Sequence, residues 1–257
     1  MQLYNGLEVL EISAPMMGRI ETVYPTLLWD DENVVLVDTG YPGQLPLIQQ
    51  AFEKANVMFH RLNKIILTHQ DLDHIGSAPS ILDERAQAVE DERAQAVEVL
   101  ANSTEKPFIE GNQRLLKLTP DAIRRAVESL PAEVPQQWRD AFQMTLENPP
   151  KTKVHKTVEH EELLPYCSGI VVINTPGHTP GHISLYHQPS KTLIAADALT
   201  VVDGQLQGPD EEQTLDLNLA KQSLRNLSLY DIEKVVCYHG GVYQDNPNQR
   251  ILELIAN

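Results

Sequence analysis

Residues 68–74, with the sequence THQDLDH, place four side chains that commonly bind metals within six positions. These side chains are His69, Asp71, Asp73 and His74. They follow an apolar run at residues 64–67 that has the composition of a buried strand. A loop that leaves the end of such a strand holds its side chains on a rigid base and directs them toward solvent. The segment therefore predicts a metal site at the end of a strand, with a helix beginning near Ile75.

The spacing inside this segment allows two neighbouring groups of ligands. The side chains of His69 and Asp71 point the same way in extended chain because they are two residues apart, whereas Asp73 and His74 lie beyond the bend. The alternative is a solvated acidic loop, in which the aspartates cap the next helix and the histidines share no role. For an isolated segment that alternative would be preferred, so the decision depends on residues further along the chain.

Three more candidate ligands occur downstream, and each follows an apolar run. They are His178 after residues 169–173, Asp197 after residues 192–196, and His239 after residues 232–238. Since each lies where a buried strand is expected to end, the three repeat the arrangement of the first segment. This recurrence favours the metal site over the solvated loop.

Five motifs together resemble those of the metallo-β-lactamase superfamily. They are LVDTG at residues 36–40, THQDLDH at 68–74, TPGHTPGH at 175–182, AAD at 195–197 and YHGG at 238–241. The motifs come in the family's order and span most of the chain. The resemblance implies an α/β (α+β) fold, a four-layer αββα sandwich of two facing mixed sheets, in a single domain over residues 1–257.

The resemblance also implies a ligand set for two metal ions. It consists of His69, Asp71 and His178 on one ion, Asp73, His74 and His239 on the other, and Asp197 bridging both. The family's usual first motif is H-x-H-x-D-H, so Asp71 replaces a histidine here. A carboxylate at that spacing is able to replace the imidazole, and we expect Asp71 to bind metal through oxygen. The alternative is that it turns away to hydrogen-bond a ligand and leaves one metal weakly bound.

The function that the resemblance implies is a dinuclear metal hydrolase. Two divalent cations, Zn²⁺ by first expectation and Mn²⁺ or Fe²⁺ otherwise, would share a hydroxide that attacks an ester, lactone, thioester or amide-type carbonyl. Asp73 is the catalytic candidate, orienting the nucleophile and passing its proton to the leaving group. Two alternatives stay open: a mononuclear iron oxidoreductase of the same fold, and a metal-binding protein without turnover. The motifs do not choose the substrate, although a lactonase-like activity on a neutral acyl compound is favoured.

Charge restricts the partners. The chain has 36 acidic and 20 basic residues, which gives a formal net charge of -16. Such a charge repels nucleic acids and anionic membranes, so the expected partner is a small-molecule substrate, with no nucleic acid and no membrane. No apolar run approaches the roughly 20 residues that cross a bilayer, and no secretory signal is visible, which predicts a cytoplasmic location. The oligomeric state is left open, a homodimer being one option.

Two segments depart from the motif framework. Residues 105–160 are polar, with helices punctuated by proline, and predict a helical lid with one or two of Phe108, Trp138, Phe142 and Met144 facing the substrate. Residues 83–90 and 91–98 are identical copies of DERAQAVE. One perfect repeat is not a solenoid, and its origin, natural or engineered, stays open. We expect the first copy to continue a helix from Ala78 and the second to lead into a strand.

Overall fold

The computed structural model describes residues 1–16, 19–90 and 96–256. The strands are β1 Gln2–Tyr4, β2 Leu7–Val9, β3 Ile12–Met16, β4 Arg19–Val23, β5 Thr26–Trp29, β6 Val34–Val37, β7 Lys64–Leu67, β8 Glu98–Asn102, β9 Lys156–Val158, β10 Leu163–Leu164, β11 Ile170–Asn174, β12 Ile183–His187, β13 Thr192–Ala196, β14 Thr200–Val202, β15 Gln205–Gln207, β16 Lys234–Cys237 and β17 Gly241–Tyr243. The α-helices are α1 Leu45–Lys54, α2 Leu72–Ile75, α3 Ala78–Glu90, α4 Lys106–Ile109, α5 Pro120–Glu128, α6 Gln136–Glu147, α7 Leu217–Ser223 and α8 Pro247–Ala256.

Most of these strands form two mixed sheets. The first has the order β1-β2-β5-β6-β7-β8-β9, and the second has the order β10-β11-β12-β13-β16-β17. In the first sheet the pairs from β6 to β9 are parallel and the others are antiparallel. In the second sheet only β13 and β16 pair in parallel. Two short hairpins, β3-β4 and β14-β15, stand beside the sheets.

Alternation along the strands produces the layers. In β6, Val34 and Leu36 pack in the cluster that includes Ile48 and Phe52 of α1, whereas Val35 and Val37 pack in the cluster between the sheets. That inner cluster joins strands of both sheets. A third cluster covers the outer face of the second sheet with the 3-10 turn Leu224–Leu229 and with α8. The fold is therefore a four-layer αββα sandwich, and the predicted fold class is confirmed.

Four strand ends meet at one edge of the sandwich. The candidate ligands His69, His178, Asp197 and His239 follow β7, β11, β13 and β16. The two sheets are joined at this edge, since Ile183 donates its backbone N–H to Thr68 O over 3.1 Å. The topology thus brings loops from both halves of the chain to one place.

The inserted region and the repeat differ partly from expectation. The predicted lid range includes β9, which pairs in parallel with β8 as part of the first sheet; its three residues are too few to give a periodic pattern. Of the four residues expected to face the substrate, Trp138 is 59% exposed and Met144 is 65% exposed. The first DERAQAVE copy lies in α3, and Glu98 of the second begins β8. Residues 91–95 of the second copy lie outside the described residues.

Candidate metal centre

The loop after β7 directs Asp71 into the site and not onto the next helix. Asp71 is the residue before α2 and has extended backbone, but its side chain makes no capping hydrogen bond. Its Oδ2 lies 3.2 Å from His69 Nε2. The helix-cap interpretation therefore does not apply to Asp71.

The first group of candidate ligands comprises His69, Asp71, His178 and Asp197. One ligand atom from each lies within 4.8 Å of all the others. His178 Nε2 is 3.0 Å from Asp71 Oδ2 and 3.2 Å from Asp197 Oδ2. Four ligands placed tetrahedrally at about 2.0–2.1 Å from a zinc ion would be separated by about 3.3 Å. The spacing of this group is therefore close to that of a metal site.

The second group comprises Asp73, His74 and His239. Asp73 Oδ2 lies 3.2 Å from His239 Nε2 and 3.8 Å from His74 Nε2. Asp197 reaches this group too, with Oδ1 at 3.4 Å from His74 Nε2 and Oδ2 at 3.6 Å from His239 Nε2. The structure thus brings all seven predicted residues together, with Asp197 between the two groups. Their role as ligands stays a prediction.

Unsatisfied buried atoms show that a cation fits here. His69 Nε2, His74 Nε2 and Asp197 Oδ1 are buried and have no hydrogen-bond partner among the described residues. Buried polar atoms are normally hydrogen-bonded, so each such case needs an explanation. Nitrogen and oxygen atoms that converge without hydrogen bonds are the donor set that divalent cations bind. These residues therefore suit a divalent metal.

Asp38 and Thr68 orient the two histidines of the first motif. Asp38 Oδ2 lies 2.8 Å from His74 Nδ1, and Thr68 Oγ1 lies 3.0 Å from His69 Nδ1. Thr68 also donates to Asp38 through its hydroxyl and its backbone N–H. Because the Nδ1 atoms have these partners, the Nε2 atoms face the site. Asp38 adopts φ +61°, a conformation that non-glycine residues rarely hold without support.

His182 supports Asp197 and is not in the ligand groups. Its Nε2 accepts a hydrogen bond from the backbone N–H of Asp197 over 3.2 Å, and its Nδ1 lies 2.9 Å from Thr175 Oγ1. Burial, together with the neighbouring His69 and His178, lowers the pKa of His182 well below its ordinary value. The ring is therefore neutral and serves to hold the loop in place.

Local backbone features direct the last two ligands. The pairing of β13 with β16 shifts register between Ile194 and Ala196, and Ala196 has φ +47°. Such a bulge turns the following side chain, here Asp197, out of the strand's alternation. After His239, Gly240 has φ +95°, and a Cβ there would lie 1.9 Å from Val201 O. Only glycine allows the chain this path beside His239.

Two residues of the site were not predicted from the sequence. Glu105 is fully buried and accepts hydrogen bonds from the loops after β7 and β11, which tie the two halves of the site together. Lys117 places Nζ 2.5 Å from Asp71 Oδ2 and 2.7 Å from His178 Nε2. Neither residue belongs to a motif, and both reach the site only through tertiary contacts. No local signal in the sequence marks them.

Electrostatics keep Asp71 ionised. Burial by itself would raise the pKa of this carboxyl, but His69, His178 and Lys117 hold it well below its usual range. An ionised carboxylate is the form that binds a cation. The side chain therefore has the charge state that a metal requires.

In the absence of metal, the two histidines of the second group have raised pKa values, whereas the pKa of Asp71 is lowered. Burial would lower the pKa of His74, but the carboxylates of Asp197, Asp38 and Asp73 raise it well above the ordinary value. The same competition raises the pKa of His239 to about 10, with Asp197 and Asp73 as the neighbouring charges. A metal must displace these protons when it binds.

A cavity of about 330 Å³ opens over the two groups. Its lining residues outside the ligand set are Glu21, Tyr41, Thr200, Asp210 and Gln213. The expected substrate contacts from Phe108, Trp138, Phe142 and Met144 are not found, since none of them lines this cavity. Glu21 comes from β4, so the β3-β4 hairpin reaches the site.

No helix within residues 1–16, 19–90 and 96–256 has the length and apolar character that a membrane crossing requires.

Comparisons with known proteins identify the family of the chain. The family model of the metallo-beta-lactamase superfamily matches residues 19–239. The chain is 28% identical over 222 residues to the probable metallo-hydrolase YflN of Bacillus subtilis, covering 82% of this chain and 76% of that protein. It is 25% identical over 175 residues to the hydroxyacylglutathione hydrolase GloC of Haemophilus influenzae, covering 68% of this chain and 65% of that protein.

Solved structures share the fold. A metallo-beta-lactamase family protein from Thermus thermophilus superposes with a TM-score of 0.64 at 23% identity, covering 99% of this chain and 80% of that one. An archaeal superfamily protein from Sulfolobus tokodaii gives 0.63 at 18% identity, covering 98% and 86%. The chain belongs to the metallo-β-lactamase superfamily. The family and the donor cluster together define it as a metal-dependent hydrolase.

Proposed function

We propose that this protein holds two divalent cations, zinc in the first instance, and hydrolyses an acyl bond in a small uncharged substrate. His69, Asp71 and His178 hold one cation, Asp73, His74 and His239 hold the other, and Asp197 is shared. The supporting observation is the convergence of four histidine Nε2 atoms, two from each group, on the Asp197 carboxylate, at 3.2–3.9 Å. When bound, the cations supply Lewis acidity that makes water a nucleophile near neutral pH.

The protein's own groups prepare this chemistry by fixing the ligands in advance. Asp38 holds the ring of His74, Thr68 holds that of His69, and Tyr238 stacks on His74 with ring centroids 3.8 Å apart. The Tyr238 hydroxyl also donates to Asp73 O over 2.6 Å. A site that is oriented before the reaction needs little rearrangement during it.

Asp73 is the group that we assign to proton transfer. Its Oδ2 faces His239 Nε2 at 3.2 Å, which leaves Oδ1 for the attacking water or the leaving group. Asp73 lines the cavity, so it is accessible to a bound substrate. Its assigned role is to orient the nucleophile and carry the proton to the departing oxygen, sulfur or nitrogen.

The cavity favours an uncharged acyl substrate. Carboxylates of Glu21 and Asp210 line it together with the polar side chains of Tyr41, Thr200 and Gln213. These acidic groups in the cavity lining repel phosphodiesters and other polyanions, as does the net charge of -16. Esters, lactones, thioesters and amides carry no charge at the reacting carbonyl. We therefore place nucleic acids and membranes outside the set of partners, and a small molecule within it.

The test is a turnover panel on protein that has been stripped of metal and then reconstituted with zinc, manganese or iron(II). Lactones, thioesters, aryl esters, β-lactams and phosphodiesters are each assayed with the wild type and with Asp197→Asn, and Asp203→Asn, in the turn between β14 and β15, serves as the matched control. We expect acyl substrates to be turned over by the wild type and by Asp203→Asn, with a loss of at least about a hundredfold in Asp197→Asn.

Three results would contradict the proposal. Turnover of phosphodiesters alone would overturn the substrate class. Oxygen consumption with one iron per chain would instead identify an oxidoreductase. Bound metal with no turnover of any acyl compound would support a metal-binding protein without catalysis.

A further inference from the structure

Lys117 lies beside the first ligand group, on a segment that hydrogen bonds and burial hold in place. It lies in the segment between α4 and α5, where Leu116 donates its backbone N–H to Gln70 Oε1 over 2.7 Å. Gln70 is itself fixed, because its Nε2 donates to Glu105 Oε2 over 2.8 Å. Leu115, on the other side of Leu116, is buried. The turn that carries Lys117 is therefore attached to the same loop that carries Asp71.

The ammonium group contacts the atoms that a metal would use. Lys117 Nζ lies 2.5 Å from Asp71 Oδ2 and 2.7 Å from His178 Nε2. The other partners of Asp71 Oδ2 are His69 Nε2 and His178 Nε2, so this oxygen faces the centre of the group. A neutral imidazole nitrogen has one lone pair. His178 Nε2 cannot accept a hydrogen bond from Lys117 and bind a metal at the same time.

The second group has a different set of charged neighbours. The ligand atoms of Asp73, His74 and His239 form ion pairs with one another and with Asp197, and Asp38 holds the far side of the His74 ring. Lys117 does not contact these atoms, because its ion pair and its histidine contact both lie in the first group. A cation that enters the first group must therefore displace the Lys117 ammonium, whereas a cation that enters the second group does not.

The distribution of charge also distinguishes the first ligand group from the second. Asp71 stands where the resembled motif has a neutral histidine, so the site carries three carboxylates, Asp71, Asp73 and Asp197. The positive charge of Lys117 lies next to Asp71 and balances the negative charge of this added carboxylate. An ammonium tethered by its own chain competes at a high effective concentration, since it loses little freedom on binding.

Resting on the proposed two-metal function, we propose that Lys117 is an internal competitor for the cation held by His69, Asp71 and His178. Metals then load in order. The position formed by Asp73, His74 and His239 fills first, with Asp197 shared, and the second cation binds only by displacing the ammonium. Lys117 is thus a positioning residue that sets the metal affinity of one position.

The test is a titration of metal-stripped, full-length protein with Zn²⁺ in competition with a chromophoric chelator. Wild type is compared with Lys117→Met, with Lys117→Ala as a second variant in case the first does not fold, and with Lys54→Met on the exposed face of α1 as the control. We expect two unequal binding constants in wild type and in Lys54→Met. In Lys117→Met the association constant of the weaker Zn²⁺ position should rise by about ten- to a hundredfold, while that of the tighter position is unchanged.

A second measurement follows Lys117 directly. Acetic anhydride labelling, read by mass spectrometry, should modify Lys117 faster after the second equivalent of Zn²⁺ than after the first. Two bound metals with both constants unchanged in the Lys117 variants, or a weaker second constant, would overturn this inference and leave the proposed function standing. Absence of bound metal in wild type would overturn both.

Discussion

Glu105 offers a severe test of how the two halves of the site are joined. Its side chain is fully buried, and Oε2 accepts from Gln70 N at 3.0 Å and from Gln70 Nε2 at 2.8 Å. Oε1 accepts from Thr179 Oγ1 at 2.8 Å and from Gly181 N at 2.7 Å. One carboxylate thus holds the loop of Asp71 against the loop of His178.

The substitution Glu105→Gln keeps the shape of this side chain but replaces one acceptor oxygen by a donor group. Turned one way, the amide leaves both Gln70 donors facing its NH₂ group. Turned the other way, it leaves the Gly181 N–H facing NH₂, while the Thr179 hydroxyl can reverse and accept. Hydrogen bonds to a charged group contribute about 1.5–3 kcal/mol each, so the loss of one or two of them costs about 1.5–6 kcal/mol. Removing a buried charge returns part of that cost. We expect the free energy of unfolding to fall by about 2–5 kcal/mol, a large share of the usual total of about 5–15 kcal/mol.

The assay is urea denaturation of metal-stripped protein, followed by Zn²⁺ titration of the folded variant. Glu53→Gln, an exposed position on α1, is the control and should stay within about 0.5 kcal/mol of wild type. We expect the affinity for one of two Zn²⁺ ions to drop by about ten- to a hundredfold in Glu105→Gln. A variant as stable as the control, with unchanged metal binding, would refute the idea that Glu105 joins the loops.

Three further predictions concern charge, protons and the repeat. Asp71→His removes a negative charge, so the acidic limb of the pH–rate profile should move to lower pH by up to about one unit; an unchanged limb with both metals bound would show that Asp71 is not a ligand. The pKa of His239 is raised to about 10, so this ring is protonated at pH 8 before metal binds, and its contribution to stability is complete below about pH 6.5 and fades as pH rises through about 10. The pKa of His74 is raised in the same direction by Asp197, Asp38 and Asp73. Calorimetry at pH 8 in two buffers of different ionisation enthalpy should therefore show release of at least one proton per chain on Zn²⁺ binding, and none would contradict this. Deleting residues 83–90 leaves one DERAQAVE copy whose arginine can replace buried Arg85, so the deletion should fold and bind metal; loss of cooperative thermal unfolding would show that both copies are needed.

The fold class and the grouping of the seven donor residues were predicted from the resemblance of five motifs to a known family, and local patterns supported the placement of the donors at strand ends. Buried strands end in polar ligands at residues 69, 178, 197 and 239, and strand ends meet at one edge of such a sandwich. These features need only the residues themselves and their neighbours along the chain.

What could not be predicted depends on contacts between distant segments. Lys117 lies 46 residues from Asp71 along the chain, and Glu105 lies 74 residues from Thr179. Contacts between residues so far apart in the chain produce no periodic pattern in the sequence. The expectation that lid aromatics face the substrate also went beyond the sequence, since the helical stripe of α6 does not specify what it packs against, and Trp138 is largely exposed.

The most direct measurement of the two-metal site is anomalous X-ray scattering at the zinc edge from crystals grown with Zn²⁺. Two peaks are expected, one within about 2.0–2.2 Å of His69 Nε2, Asp71 and His178 Nε2, and the other at the same distance from Asp73, His74 Nε2 and His239 Nε2. Asp197 should contact both. A single peak, or none among these residues, at a Zn²⁺ concentration that saturates binding in solution, would contradict the assignment of two cations to this cluster.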